Sequence, residues 1–250
     1  MITLNDVKEA KKRLSNTVLN TPLVKAPILS KELNAQIYLK EDNLQLTGSF
    51  KIRGAFNRLS KMDENIRNKG VVAASAGNHA QGLAFAAKHF GCEATIFMPE
   101  ATPLTKISGV KSYGANVVLV GENFDEAYAS AKKFATEHKK EFIHPFADDD
   151  VIAGQGTIAL EILEKVEDMQ HIIIPIGGGG LISGVAIAAK AMNPNIKITG
   201  VVASGARGMK DSFEARMPID SASVKTIADG SAVRVVTPNL LDIIFELSLI

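Results

Sequence analysis

From residue 70 onward the chain alternates short, wholly apolar runs with longer stretches in which apolar positions recur every three or four residues. Val71-Val72-Ala73-Ala74 is a continuous apolar run, the pattern of a strand buried on both faces, and residues 94–98 read as a strand. Residues 116–120, Phe142-Ile143, residues 171–176 and residues 197–203 read as further strands. Helical periodicity occupies residues 80–90, 102–113, 123–138, 152–166 and 181–192. Strand and helix in regular alternation, with short connections, predict right-handed crossovers and parallel sheet covered by helices on both faces.

The first 65 residues are patterned differently. Residues 5–15 read as an amphipathic helix capped by Asn5, with Val7, Ala10 and Leu14 on one face. Thr21-Pro22-Leu23-Val24 is a turn into an extended piece. Residues 36–41 alternate Ile37 and Leu39 with polar neighbours, so they read as a strand, and residues 49–62 read as a helix with Phe50, Ala55 and Leu59 apolar. At the other end, Thr237-Pro238 is a good helix start, with Thr as cap and Pro in the first turn. Leu240, Leu241, Ile243, Ile244 and Leu247 then form a wide apolar face, running to Ile250 without a glycine cap or polar tail.

Length and composition narrow the class. With 250 residues, 46% of them apolar, the chain can bury the core of one large domain or two small ones. Lys and Arg number 28 against 27 Asp and Glu, which excludes a globally basic nucleic-acid binder. One cysteine, Cys92, excludes an internal disulfide framework and suits a reducing compartment. Residues 1–12 are polar and lack the apolar core of a signal peptide. The longest uncharged stretch, 172–189, is broken by Pro175 and four glycines, so it splits into a strand and a helix rather than spanning a membrane. The expectation is a cytoplasmic protein with neither nucleic acid nor membrane as partner.

Four segments could carry chemistry. Gly177-Gly178-Gly179-Gly180 follows an apolar strand and opens a helix at Leu181, so backbone N–H groups and the helix N-terminus favour an anion, typically phosphate. The spacing gives neither the dinucleotide fingerprint nor a P-loop with its lysine. The alternative is a tight strand–helix turn with no ligand. In Ser49-Phe50-Lys51-Ile52-Arg53-Gly54, Lys51 sits near a helix start between apolar neighbours. Both features disfavour its charged form and so suit a Schiff-base lysine, although a solvated surface lysine is the blander reading. Ser75-Ala76-Gly77-Asn78-His79 links a strand to a helix and could hold a carboxylate, or Ser75 and Asn78 could simply cap the helix. Gly154-Gln155-Gly156-Thr157 reads mainly as packing.

Taken together, in this order and at this spacing, these segments resemble those of the pyridoxal-phosphate enzymes of the tryptophan synthase β-subunit fold. Within them the chain is most similar to the threonine dehydratases (threonine ammonia-lyases), with serine racemase as a close relative. The resemblance runs from about residue 4 to residue 247. It implies an α/β fold of two open, mostly parallel twisted sheets with helices on both faces. Residues 1–65 and 146–250 would form the large cofactor-binding domain, and residues 66–145 a small mobile domain. Lys51 would be the catalytic Schiff-base lysine. Phe50 and Asn78 would flank the cofactor ring, Gly177, Gly178, Gly179, Gly180 and Leu181 would hold its phosphate, and Ser75, Ala76, Gly77, Asn78 and His79 would bind the substrate carboxylate.

The implied reaction converts L-threonine to 2-oxobutanoate and ammonia, with L-serine giving pyruvate as a secondary reaction. Ala76 stands where a racemase carries a proton-transferring serine, which favours elimination over racemisation of serine. Ser204 and Lys210 stand where metal-activated relatives have acidic ligands, so no metal is expected. Relatives continue past the position of Ile250 and there supply the side chain that pairs with the cofactor's pyridine nitrogen. By that resemblance the C-terminal part of the large domain is missing, and a cofactor-binding scaffold with little or no catalysis is the alternative reading. A homodimer or homotetramer is the expected assembly.

Overall fold

The computed structural model describes residues 1–247. The tail of the expected C-terminal helix, residues 248–250, lies outside the described residues. Helix α1 (Leu4–Leu14) starts one residue earlier than its periodicity predicts, and Thr3, not Asn5, is its cap. Thr3 and Asp6 form a reciprocal capping box: the Thr3 N–H donates to Asp6 Oδ2 at 2.8 Å and the Asp6 N–H to Thr3 Oγ1 at 3.4 Å. Val7, Ala10 and Leu14 are buried. The next elements are β1 (Leu23–Lys25), α2 (Pro27–Glu32) and β2 (Tyr38–Lys40). The two strands pair antiparallel with Val24 opposite Leu39. Helix α2 buries no residue, so it leaves no apolar period in the sequence by which it could be found.

Chain order continues through α3 (Lys51–Lys61), α4 (Glu64–Arg67), β3 (Val71–Ala74), α5 (Asn78–His89), β4 (Ala94–Met98), α6 (Leu104–Lys111), β5 (Asn116–Leu119), α7 (Phe124–Glu137) and β6 (Glu141–Phe142). Strands β5, β4, β3 and β6 form one parallel sheet in that spatial order. Alternate residues of β3 face opposite ways. Val71 and Ala73 pack with α3, α5 and α6, while Val72 and Ala74 join Phe97 against Ala131 and Ala135 of α7. A strand with helices on both sides is buried on both faces, so β3 is a continuous apolar run, and β4 is apolar but for the buried Thr95.

The remaining elements are α8 (Asp149–Leu163), β7 (His171–Pro175), α9 (Gly180–Met192), β8 (Lys197–Val201), α10 (Gly208–Ala215) and α11 (Pro238–Glu246). Strands β7 and β8 pair in parallel, with Ile172 opposite Ile198. Helix α8 is buried at every position from Val151 to Leu163 and lies between α3 on one side and α9 on the other. Leu240, Leu241, Ile243 and Ile244 of α11 are buried against the cluster built on α8, α9, β7 and β8. The uncharged stretch 172–189 is β7, a glycine loop and part of α9, and no helix among the described residues is long and apolar enough to cross a membrane.

Candidate active site

Lys51 is the first residue of α3, with Phe50 in the cap position. Its Nζ donates a hydrogen bond to the carbonyl of Pro145 at 2.8 Å. The ring centres of Phe50 and Phe146 lie 5.5 and 5.8 Å from the same atom. No carboxylate pairs with this amine among the described residues, and burial holds its pKa down from 10.5 to about 8. Roughly one such amine in ten is neutral at pH 7, against about one in three thousand for an ordinary lysine. Lys51 is thus a half-buried residue lining a cavity, not a freely solvated surface lysine.

Strand β3 ends at Ala74, and the chain turns through Ser75-Ala76-Gly77 into α5. Ser75 Oγ accepts from the N–H groups of Gly77 and Ala80 at 3.2 and 3.3 Å, so Ser75 does close the helix start. Asn78 forms no capping bond. His79 is 2% exposed, and its Nε2 lies 3.1 Å from the carbonyl of Ile143. A carbonyl only accepts, so the ring proton sits on Nε2 and Nδ1 carries a lone pair. That Nδ1 is buried without a partner. Burial, reinforced by the nearby charge of Lys51, holds the pKa of His79 near 3. It is a neutral imidazole at physiological pH and not a general base.

The neighbouring strand in the sheet, β6, delivers residues that sequence reasoning missed. His144 Nδ1 accepts from the N–H groups of Phe146 and Ala147 at 3.3 and 2.9 Å, which fixes its tautomer. Burial and the charges of Lys51 and Lys132 lower its pKa to about 4. The signal that could have found His144-Pro145-Phe146 is positional. It follows a strand that ends beside β3, and ligands of open parallel sheets bind beyond the carboxyl ends of the strands.

Lys51, Ser75 to His79 and His144 to Phe146 line one cavity of about 750 Å³. Its far wall is a strap around residues 224–238, which runs with almost no regular structure between α10 and α11. Two ion pairs tie the strap to the four-stranded unit: Lys106 with Asp229 at 2.7 Å and Arg234 with Asp125 at 2.5 Å. The strap has no apolar period and carried no signal in the sequence.

Phe50 and Gly177 to Leu181 do not line this cavity. The Phe146 ring separates the glycine loop from it. A Cβ on Gly178 would stand 2.5 Å from carbons of that ring, and one on Gly180 would stand 2.6 Å from the Phe146 carbonyl oxygen. Gly179 has φ +94°, a conformation that side chains rarely adopt. The N–H groups of Gly178 to Ile182 take no partner among the described residues, and Ser183 Oγ in the first turn of α9 is buried and unpaired. Open backbone donors at a helix N-terminus, beside an orphaned hydroxyl, form a cradle suited to phosphate. A partly neutral amine on the other side of one aromatic ring suits a carbonyl carbon.

The comparisons with known proteins agree with this chemistry. The family described as pyridoxal-phosphate dependent enzyme matches residues 14–248. An L-threonine ammonia-lyase of Thermotoga maritima is 49% identical over 242 residues, which cover 94% of this chain and 58% of that protein. This chain therefore spans less than two thirds of that relative's length. The processed form of threonine deaminase isoform 2 from Solanum lycopersicum superposes with a TM-score of 0.93 at 40% identity, covering 97% of this chain and 66% of that one. Maize serine racemase superposes with a TM-score of 0.95 at 36% identity, covering 98% of this chain and 74% of the other. A match through nearly the whole chain, over a fold that sets a partly buried lysine near a glycine cradle, places this protein among the pyridoxal-phosphate dependent enzymes.

Proposed function

We propose that the chain carries the active site of a threonine dehydratase, releasing ammonia and 2-oxobutanoate from L-threonine and, secondarily, pyruvate from L-serine. The observation that carries this reading is the Lys51 amine, held at a lowered pKa in the same cavity as the Ser75–His79 loop. Once the Phe146 ring moves from between them, Lys51 would bond the cofactor carbonyl and Gly177, Gly178, Gly179, Gly180 and Leu181 would hold its phosphate, with Phe50 and Asn78 flanking the ring. When bound, pyridoxal phosphate supplies an electron sink for the negative charge left on the substrate α-carbon.

The chain's own residues divide the remaining work. Ser75, Ala76, Gly77, Asn78 and His79 present backbone and side-chain donors to the substrate carboxylate. Displaced from the cofactor carbonyl by the substrate amine, Lys51 would take the α-proton, and its pKa near 8 keeps a useful fraction of the free amine neutral near pH 7. His79 and His144 do not compete for that proton, since both titrate well below neutrality. The Ala76 side chain carries no proton to transfer, where a racemase has a serine. That favours elimination over serine racemisation. Residues 66–145, which contain the whole four-stranded sheet, act as the small mobile domain. Residues 1–65 and 146–250 act as the large one. The half-buried Cys92 thiol suits a cytoplasmic enzyme. A homodimer or homotetramer completes the reading.

The test is direct. The purified chain is mixed with pyridoxal phosphate, reduced with borohydride and mapped by peptide mass, and 2-oxo acid release from L-threonine and L-serine is followed. The adduct on Lys51 and faster release from threonine are expected, with both lost in Lys51→Ala. An adduct without 2-oxo acid would identify a cofactor-binding scaffold, and no adduct on Lys51 would overturn the reading.

A further inference from the structure

Of the four segments singled out in the sequence, Gly154-Gln155-Gly156 is the one to which the proposed chemistry gives no task. It lies in α8, the buried helix between α3, which carries Lys51, and α9, which the glycine loop opens. On the α3 side, a Cβ at Gly154 would stand 2.5 Å from the Arg53 carbonyl oxygen and 2.7 Å from Gly54 Cα. On the α9 side, a Cβ at Gly156 would stand 2.8 Å from the Gly184 carbonyl oxygen, and one at Gly184 would overlap the carbonyl oxygen of Ile152. Backbone therefore meets backbone at both crossings, and at Gly156 the Val7 side chain adds a contact at 2.9 Å.

Polar contacts lock the same register. Gln155 is 1% exposed, and its Oε1 accepts the N–H of Gly54 at 3.2 Å, three residues after Lys51. Arg53, 1% exposed, forks onto Glu161 of α8 at 2.5 and 2.9 Å and onto Thr157 at 3.1 Å. Asp42 takes the rest of its guanidinium at 2.7 and 2.9 Å. The first turn of α3 is thus fixed to α8, and the first turns of α9 rest on the opposite side of the same residues.

We propose that Gly154-Gln155-Gly156 is a spacer that sets the separation between the Lys51 amine and the glycine loop Gly177–Gly180, so that one rigid ligand meets both anchors at once. Gln155 is the positioning residue within it. The proposal rests on the reading that Lys51 bonds a carbonyl while the loop holds a phosphate. Misplacing one anchor by about 1 Å costs up to ~100-fold where two contacts must be made together, yet leaves each contact available singly.

The experiment compares three probes on the intact chain: pyridoxal 5′-phosphate, which uses both anchors; pyridoxal, which uses only the amine; and pyridoxine 5′-phosphate, which uses only the loop. The variants are Gly154→Ala, Gly156→Ala and Gln155→Met, with folding checked by circular dichroism. In the folded variants the advantage of pyridoxal phosphate over pyridoxal falls about tenfold or more, while the two single-anchor probes shift by less than about threefold. Gln155→Met adds no branch at a crossing and supplies the same ratio should an alanine variant fail to fold. A merely structural role lowers all three affinities together or none, and folded variants that keep the wild-type ratio overturn the spacer alone. A wild-type chain that binds none of the probes overturns the proposed function and the spacer with it.

Discussion

The ring of Phe146 lies directly on Gly178, with ring carbons 2.5 Å from the point where a Cβ would be, and the Lys51 amine lies 5.8 Å from the centre of the same ring. One aromatic side chain thus forms the partition between the two anchors. Gly178→Ala drives a methyl into that partition and is expected to cost about 1–3 kcal/mol of stability, as overpacking does. Urea unfolding of the ligand-free chain measures it. In a Phe146→Ala background the same glycine substitution is expected to cost under about 0.5 kcal/mol, because the clashing ring is gone. Equal costs in both backgrounds would show that the ring is not what Gly178 accommodates.

Lys51 titrates near pH 8 instead of 10.5 because burial strips water from its charge. Two consequences follow. Labelling of Lys51 by an amine-acylating reagent should reach half its maximal rate near pH 8, while surface lysines remain slow until higher pH. The effect on stability has the opposite sense to that of a paired lysine. The folded pKa lies below the unfolded one, so the unfolded chain binds more protons between pH 8 and 10.5 and stability rises with pH through that window. Lys51→Met removes the penalty and flattens the rise. A Lys51 that labels like a surface lysine would contradict the cavity geometry.

His79 and His144 impose the corresponding acid limit. Burial is the main cause in both, and it lowers their pKa values to about 3 and about 4 from 6.5. The unfolded chain therefore takes up protons below pH 6.5 that the folded chain refuses, and stability falls as pH drops from 6.5 toward 3. Each such histidine contributes a slope of up to about 1.4 kcal/mol per pH unit. His79→Gln keeps a donor for the Ile143 carbonyl and cannot be protonated, so it should lose less stability between pH 6 and 4 than the wild type. Denaturant midpoints at several pH values decide this. Parallel curves would show that His79 titrates normally.

What was legible in the sequence follows from how each element earns its burial. Strands β3 and β4, buried on both faces, and helices α1, α7 and α9 announce themselves as runs or periods because water is excluded from a fixed side of them. Helix α2 buries nothing and was invisible. The site divides in the same way. Lys51, the Ser75–His79 loop and the glycine loop were readable because each sets unusual residues at a helix start. His144 and Phe146 were not, since an ordinary His-Pro-Phe acquires its place only through the pairing of β6 with β3. The Gly154-Gln155-Gly156 segment was rightly read as packing, but nothing in one dimension shows that the two helices packed there are those carrying Lys51 and the glycine loop.

Surface charge contributes to holding the strap around residues 224–238 over the cavity, and that contribution has a measurable signature. Its two ion pairs, Lys106–Asp229 and Arg234–Asp125, join side chains that are each more than a third exposed. Pairs of this kind contribute about 0–1 kcal/mol and weaken with salt. Global stability should therefore change little in the double variant Asp125→Asn/Asp229→Asn, with the urea midpoint nearly unmoved. Local opening should change more, because the strap has almost no regular structure of its own to hold it. Backbone amides such as Ser231 N–H, bonded only within the strap to Ala228, should exchange with solvent about fivefold faster in the variant, the equivalent of ~1 kcal/mol. Raising the ionic strength should produce the same acceleration in the wild-type chain and none in the variant. Exchange that is insensitive to both charge removal and salt would show that apolar contacts, not these two pairs, hold the strap over the cavity.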